Sequence, residues 1–327
     1  MKREYNIYDK ITDLNNLFYS FKRASSNKKK TKEMLEFQFN LENNLLTLQT
    51  ELQDLTYNVG DYKSFKINDP KPRIITKATF RDRVVHHALF NVIEPIFEKT
   101  FISDTYANRT GKGTHRAMRR AYEHVHNYKY VLKCDIKKYF ESINHSILKE
   151  LIRKKIGDKK VLWLCDLIID SFNPGLPLGN LTSQFFANIY LNWFDHYIKE
   201  ELHCKAYLRY VDDFILFSDD KVKLSFWRNN IKKYLLSNLY LELHLTKQEI
   251  FPIRCGLDFV GYRLLEDRIR IRQSNVIRFR RKYKKLKTQF KEGKISFCEL
   301  TQSVRSWISH VNHGNSWILR ILVLLTI

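Results

Sequence analysis

Leucines at 41, 45, 48, 52 and 55 step by four, three, four and three, a spacing that gathers apolar side chains on one face of an α-helix. The pattern predicts an amphipathic helix over 35–57. Two heptads are too few for a coiled coil, so this face is expected to pack within the fold. Residues 62–77 read as two short extended pieces around the turn signal Asp69-Pro70-Lys71-Pro72. A second helix is expected over 80–100, with Val84, Val85, Ala88, Leu89, Val92 and Ile93 facing inward. Tyr130–Ile136 is a strand-like run that reaches an acid, Asp135, near its end. Helices follow over 145–155 and 160–171, Pro174-Gly175 and Pro177 break the chain, and another helix is expected over 182–201. Tyr207–Phe217 has two apolar arms around Asp212-Asp213, the pattern of a β-hairpin. Next come a helix over 223–240 and strands over 256–263 and 268–272. Val276, Phe279, Tyr283, Leu286 and Phe290 then mark an amphipathic helix within 268–291. Neither an internal repeat nor a linker between autonomous halves is visible.

Composition narrows the partner. The chain has 327 residues, 57 Lys+Arg against 35 Asp+Glu and a formal charge of +22. With 44% apolar and 14% aromatic residues it can bury a core, which excludes a disordered basic tail. Ten Gly and six Pro exclude collagen-like architecture. A folded protein this basic meets a polyanion, nucleic acid or anionic membrane. The longest apolar stretch, Ile318–Ile327, is interrupted by Arg320 and is far shorter than the ~20 residues a span needs. It reads as a core-packed helix end, a partner contact or a truncated terminus. Met1–Tyr5 runs into mixed polar sequence, so no secretory leader is expected. Five cysteines without a C-x-x-C pair suit a reducing cytosol with buried thiols better than a disulfide framework, and cysteine-bound zinc is not expected.

Half the net charge is local, because Arg268–Lys291 holds eleven Lys/Arg and no acid. Seven of them, Arg278, Arg280, Arg281, Lys282, Lys284, Lys285 and Lys287, crowd the polar face of the last helix. Like charges three and four apart destabilise a helix unless something neutralises them. A phosphate backbone does so; a merely solvated face is the alternative. A smaller cluster from Lys22 to Lys32 reads as a flexible basic loop.

Acids carry the candidate chemistry. Asp135 at a strand end and Asp212-Asp213 between two strands place carboxylates where mutual repulsion demands a cation. Mg²⁺ takes such oxygen ligands and completes its shell with water and phosphate. Two ions about 3.5–4 Å apart can activate a hydroxyl and stabilise a leaving pyrophosphate.

Six ordered motifs resemble those of reverse transcriptases. Tyr210-Val211-Asp212-Asp213 resembles the Y-x-D-D box, and Asp135 with Phe140 the first palm motif. Lys71–Ile75 with Arg81–Val85 is similar to the fingers motifs, and Gly175–Gln184 to the nucleotide-pocket motif. Leu245-Thr246-Lys247 and Leu257–Tyr262 resemble the two later palm motifs. The resemblance implies an α+β right-hand polymerase with a basic N-terminal segment (1–34), fingers (35–129), an antiparallel-sheet palm (130–265) and a short, basic helical thumb (266–327). It also implies that Asp135 and Asp212 bind two Mg²⁺ ions, or Mn²⁺ as a substitute, aided by the Ile136 carbonyl, with Asp213 contributing less directly. Arg73 with Lys71 or Lys77 would grip the incoming triphosphate, and Phe140 would stack under the sugar and exclude a 2′-hydroxyl. Lys247 would protonate the pyrophosphate; a plain surface lysine is the alternative. The basic helix falls where the family has its thumb, which tracks the primer–template duplex.

Many family members have Gln-Gly in the pocket motif and end it with Ser-Pro; this chain has Leu178-Gly179 and Ser183-Gln184. That variant, with the Gly179–Asn188 stretch and Ser306-Trp307-Ile308-Ser309-His310, most resembles reverse transcriptases of diversity-generating retroelements. These are bacterial, archaeal or phage enzymes that copy a template-repeat RNA into cDNA with errors opposite adenine. The resemblance implies template RNA, primer or cDNA and dNTPs as partners, with a small basic helical accessory protein. Leu178 offers only apolar contact where a Gln would bridge to the nucleotide, so discrimination should loosen. About 60 residues after the palm leave no room for a maturase domain, by the same reading. Bacterial defence-associated or retron-like reverse transcriptases are the nearest alternatives, and a non-catalytic RNA-binding scaffold is the alternative of another class. Among eleven histidines, His86-His87 and His310-x-x-His313 lack zinc-type partners. Arg109–Arg116 lacks the P-loop pattern and suits a template-contacting loop better.

Overall fold

The computed structural model describes residues 2–26, 30–68 and 72–325. Helices α1 (Tyr8–Thr12), α2 (Leu14–Ser25), α3 (Lys32–Phe39) and α4 (Leu41–Gln53) open the chain. The helix expected over 35–57 is therefore two, broken at Asn40, whose φ of −117° and ψ of 47° are not helical. Leu45, Leu48 and Leu52 are buried as expected, whereas Leu55 lies beyond α4 at φ +58° and is exposed. The hairpin β1 (Lys63–Ile67) and β2 (Arg73–Lys77) pairs Lys63 with Lys77 and Ile67 with Arg73. Lys28 and Lys29 of the basic cluster, and Lys71, lie outside the described residues.

Thr79 caps α5 (Phe80–Glu98) by accepting from the Asp82 N–H. Helix α6 (Thr114–Asn127) precedes β3 (Tyr130–Ile136), followed by α7 (His145–Arg153) and α8 (Lys159–Asp170) near the expected bounds. The single helix expected over 182–201 is α9 (Leu181–Tyr190), α10 (Asn192–His196) and a π turn, Tyr197–Glu201. Strands β4 (Tyr207–Tyr210) and β5 (Asp213–Ser218) form the expected hairpin, and α11 (Lys221–Leu239) and β6 (Leu243–Pro252) follow. The run expected as one strand over 256–263 is the hairpin β7 (Leu257–Phe259) and β8 (Tyr262–Leu264). It turns where Val260 and Gly261 both take positive φ. Strand β9 (Ile269–Ile271) takes the start of the basic run, so Arg268, Arg270 and Arg272 are off the helix. The helix itself, α12, is Gln273–Lys291, followed by α13 (Phe297–Val311) and α14 (Trp317–Leu325).

The pairs β1–β2, β3–β5, β4–β5, β7–β8 and β8–β9 all run antiparallel. The central sheet has the order β4-β5-β3-β6, and β7-β8-β9 form a second sheet. Two compact units result, each assembled from separated stretches of chain. The first comprises residues 1–103, 136–203 and 230–244, and the second 104–135, 204–229 and 245–327. In the first, Phe21, Phe37 and Phe80 meet at centroid distances of 5.4–6.0 Å. Buried Asp82 there accepts from the Tyr57 hydroxyl (2.6 Å), the Gly60 N–H (3.1 Å) and the Thr79 hydroxyl (2.6 Å). In the second, α6, the sheets and α12–α14 close over one core that contains Met118, Leu208, Phe217 and Tyr262. Phe279 of α12 stacks on Trp307 of α13 at 4.1 Å.

Candidate functional site

The candidate acids of the second unit gather because of strand register. Tyr210 pairs with Asp213, leaving Val211-Asp212 as a two-residue turn between β4 and β5. Asp213 in turn pairs with Asp135 across β5 and β3. Opposed residues of an antiparallel pair share a face with Cβ atoms about 4.5–5.5 Å apart, so these two carboxylates emerge side by side. Val211 takes φ +59°, a conformation unfavourable for a β-branched residue. Buried Arg209 holds it there by donating to the Val211 carbonyl at 3.0 Å.

Lysines neutralise the acids. Lys247 Nζ donates to Asp135 Oδ2 at 2.8 Å, and Lys133 Nζ lies 3.7 Å from Asp213 Oδ2. Lys133 also donates to the Asp258 carbonyl at 2.6 Å. Burial pushes the Asp213 carboxyl up to about 6, with Lys133 opposing and the Asp212 and Asp135 charges reinforcing the rise. The carboxylates therefore sense one another electrically. Among the described residues, no three His, Cys, Asp or Glu side chains already stand close enough to hold an ion. The donor chemistry nonetheless fits a hard divalent cation, being all oxygen, and Asp213 Oδ1 is buried without a hydrogen-bond partner. Ile136 closes β3 in a buried position, and the division between units falls just before it.

Of the expected nucleotide-pocket residues, Arg73, Lys77, Phe140, Leu178, Gly179 and Gln184 belong to the first unit, whereas Lys247 belongs to the second. Arg73 and Lys77 alternate onto the same face of β2. Thr76 N–H donates to the Leu178 carbonyl at 2.8 Å, so the pocket motif is hydrogen-bonded to that strand. Gly179 has φ +125°, and a Cβ there would come within 2.8 Å of Ile75. Leu178, Gln184 and Phe140 are half-buried. Asn180 Oδ1 accepts from Ala78 N–H at 3.1 Å.

Along α12, Val276 and Phe279 face the core, while Arg280, Arg281, Lys282, Lys284 and Lys285 are exposed. Arg278 and Lys287 are half-buried. The loop expected to contact template ends as the N-cap of α6, where Gly113 has φ +99°. His115, in the first turn of α6, stacks on His313 at a centroid distance of 3.5 Å. Lys133 and Arg209 escaped the sequence reading. Lys133 carried a signal, since the residue two before Asp135 shares its face of the strand.

A comparison with protein families matches residues 65–264 to "Reverse transcriptase (RNA-dependent DNA polymerase)". The chain belongs to the reverse transcriptase family. The matched span runs from β1 to β8 and includes all three acids. Protein YkfC of Escherichia coli K12 is 25% identical over 244 residues, covering 60% of this reverse transcriptase chain and 64% of YkfC. The group II intron-encoded protein LtrA of Lactococcus lactis subsp. cremoris is 27% identical over 143 residues, 41% of this chain and 24% of LtrA. This chain thus spans less than two thirds of either relative. Among solved structures, apo telomerase of Candida tropicalis aligns with a TM-score of 0.48 at 14% identity, covering 70% of this chain and 53% of that one. The mixed helix-and-antiparallel-sheet architecture expected of a polymerase fold is present. No helix among the described residues is long and apolar enough to cross a membrane.

Proposed function

We propose that the chain is an RNA-directed DNA polymerase that copies an RNA template into DNA from dNTPs. The observation that carries this reading is the register that sets Asp135 against Asp213, with Asp212 in the adjoining turn. Asp135 and Asp212, seconded by Asp213, would hold Mg²⁺ or Mn²⁺, which supplies Lewis-acid activation of a 3′-hydroxyl and neutralises developing charge on a leaving pyrophosphate. Lys247 holds a proton on Nζ beside Asp135, and in this reading delivers it to the leaving group. Lys133 keeps Asp213 from standing as a bare buried anion. Arg73 and Lys77 meet the triphosphate, Phe140 meets the sugar, and the α12 cations track the duplex. The segments 35–129, 130–265 and 266–327 are assigned as fingers, palm and thumb within the same reading.

Primer extension on an RNA template tests it. Wild type should extend, and Asp212→Ala should lose at least about a hundredfold in rate, given what one charge-stabilising group is worth in a polar active site. Equal extension by both proteins would leave only a scaffold role.

Leu178 in place of Gln, with the Ser183-Gln184 ending, supports the finer reading that this is a diversity-generating reverse transcriptase working with a basic accessory protein. Replacing an apolar contact by a hydrogen-bonding one restores a polar check on nucleotide geometry. Leu178→Gln should then lower misincorporation opposite template adenine, read by sequencing the extension products. An unchanged error spectrum counts against this subtype. Repeats in the flanking DNA that differ mainly at adenines would support it independently.

A further inference from the structure

Phe140 sits on a backbone that is held from behind. Lys138 takes φ +46° and starts the short 3₁₀ turn Tyr139–Ser142. Tyr139 is buried, and its hydroxyl donates to the Ala187 carbonyl at 2.5 Å. Phe140 itself is half-buried, and its carbonyl accepts from the Leu176 N–H at 2.8 Å.

The loop supplying that donor packs against the same backbone more closely than a side chain allows. Gly175 has φ +65°, and a Cβ there would lie 2.1 Å from the Phe140 carbonyl oxygen and 2.7 Å from Glu141 backbone atoms. The Gly175 carbonyl is gripped by the Nε2–H of His145 at 2.8 Å. On the other side of the imidazole, Asp170 Oδ1 lies 3.4 Å from Nδ1, and Asp170 Oδ2 accepts from Lys149 at 2.6 Å. Asp170, His145, Gly175 and Phe140 therefore form a continuous chain of contacts from the end of α8, through the start of α7, to the proposed sugar contact.

Packing does not hold this loop on every side. An open space of about 480 Å³ borders it, lined by Glu141, Asn144, His145, Asp170, Asn173 and Tyr240. A loop beside a void has somewhere to relax, so the polar link through His145 sets its position. Contact repulsion is steep, so a small displacement of a wall that rejects one hydroxyl changes selectivity strongly.

We propose that His145 is a positioning residue for sugar selection: by clamping the Gly175 carbonyl it fixes the loop that fixes Phe140. When the ring carries a proton on both nitrogens, Asp170 faces Nδ1–H and orients the imidazole for that task. The proposal rests on the reading of Phe140 as the residue that excludes a 2′-hydroxyl.

The test is single-nucleotide incorporation, comparing kcat/KM for a dNTP with that for the matching rNTP. His145→Phe keeps a ring of similar size without the donor, and the dNTP preference should fall about tenfold, the scale of a loosened steric contact. His145→Gln, whose amide can reach the same carbonyl, should recover most of it. Asp170→Ala, at a half-exposed position, should shift the preference in the same direction by less. General damage to the fold slows both nucleotides alike and leaves the ratio in place, so the ratio separates positioning from stability. Phe140→Val serves as the reference. If it relaxes sugar selection and neither His145→Phe nor Asp170→Ala does, the brace is refuted and the Phe140 reading stands. If Phe140→Val leaves the ratio unchanged, the sugar-contact reading fails and the brace fails with it. Combining His145→Phe with Phe140→Val should add little beyond Phe140→Val alone, because both act on one wall.

Discussion

Holding a valine at φ +59° costs about 1–3 kcal/mol, and the hairpin bearing the acids accepts that cost at Val211. The strain is local to the turn, and the Arg209 contact with the Val211 carbonyl keeps it from relaxing. A second buried polar residue makes a pH prediction. His86 is buried on α5, and burial pulls its imidazole down from near 6.5 to about 4, with Asp82 opposing the fall and Arg83 adding to it. The folded state then keeps His86 neutral at a pH where the unfolded chain has taken up a proton. Between about 6.5 and 4 the unfolded state binds more protons, so stability falls as pH drops, by up to about 3 kcal/mol. Urea midpoints measured at pH 7.5 and 4.5 check this. The acid-induced loss should be clearly smaller in His86→Gln, and an equal loss in both proteins would remove His86 as the cause. The role of Asp82 was hidden in the sequence, because its partners Tyr57, Gly60 and Thr79 are not contiguous with it, and nothing in Arg81-Asp82-Arg83 distinguishes a buried hub from a solvated turn.

Among the helices, legibility followed the strength of the apolar stripe. α5, α7, α8 and α11 carry enough large aliphatic residues at helical spacing to be found within a few residues of their ends. α6 was missed. Its inward side is Ala117, Met118, Ala121 and Val125, small or sparse residues diluted by Arg119, Arg120 and three histidines. α12 was found by its stripe, and the strand expected over 268–272 is β9, where Ile269 and Ile271 alternate and pair with β8. Helix α12 also carries the test of nucleic-acid binding. Replacing Arg280, Arg281, Lys284 and Lys285 by Gln removes exposed cations without touching the Phe279–Trp307 stack. It should flatten the salt dependence of primer–template binding by roughly 0.7–0.9 log units per log unit of salt for each phosphate that is no longer neutralised. Fluorescence anisotropy across a salt series measures the slope, and an unchanged slope would separate α12 from the duplex. The helix should also gain slightly in stability, because Arg280–Lys284 and Arg281–Lys285 are like-charged pairs four apart.

At the scale of the molecule, the charge of +22 is uneven: one helix face concentrates cations, while Asp135 falls near the end of one strand and Asp212-Asp213 at the turn between two others. The chain itself dictated those two facts, along with the hairpin around Asp212-Asp213, because alternation, turn position and charge density are local properties. It also dictated the family, since the motifs are short and ordered along the chain. Only the tertiary structure decided which residues meet. Both units are assembled from stretches far apart in sequence, so neither the opposition of Asp135 to Asp213 nor the lysines that neutralise them follows from spacing alone. The same holds for the Gly175 loop, which reads as a chain break in one dimension and becomes the support of Phe140 in three. Register, burial and counter-charge depend on partners that only folding brings together, and those three quantities set the chemistry of each carboxylate and the position of each contact.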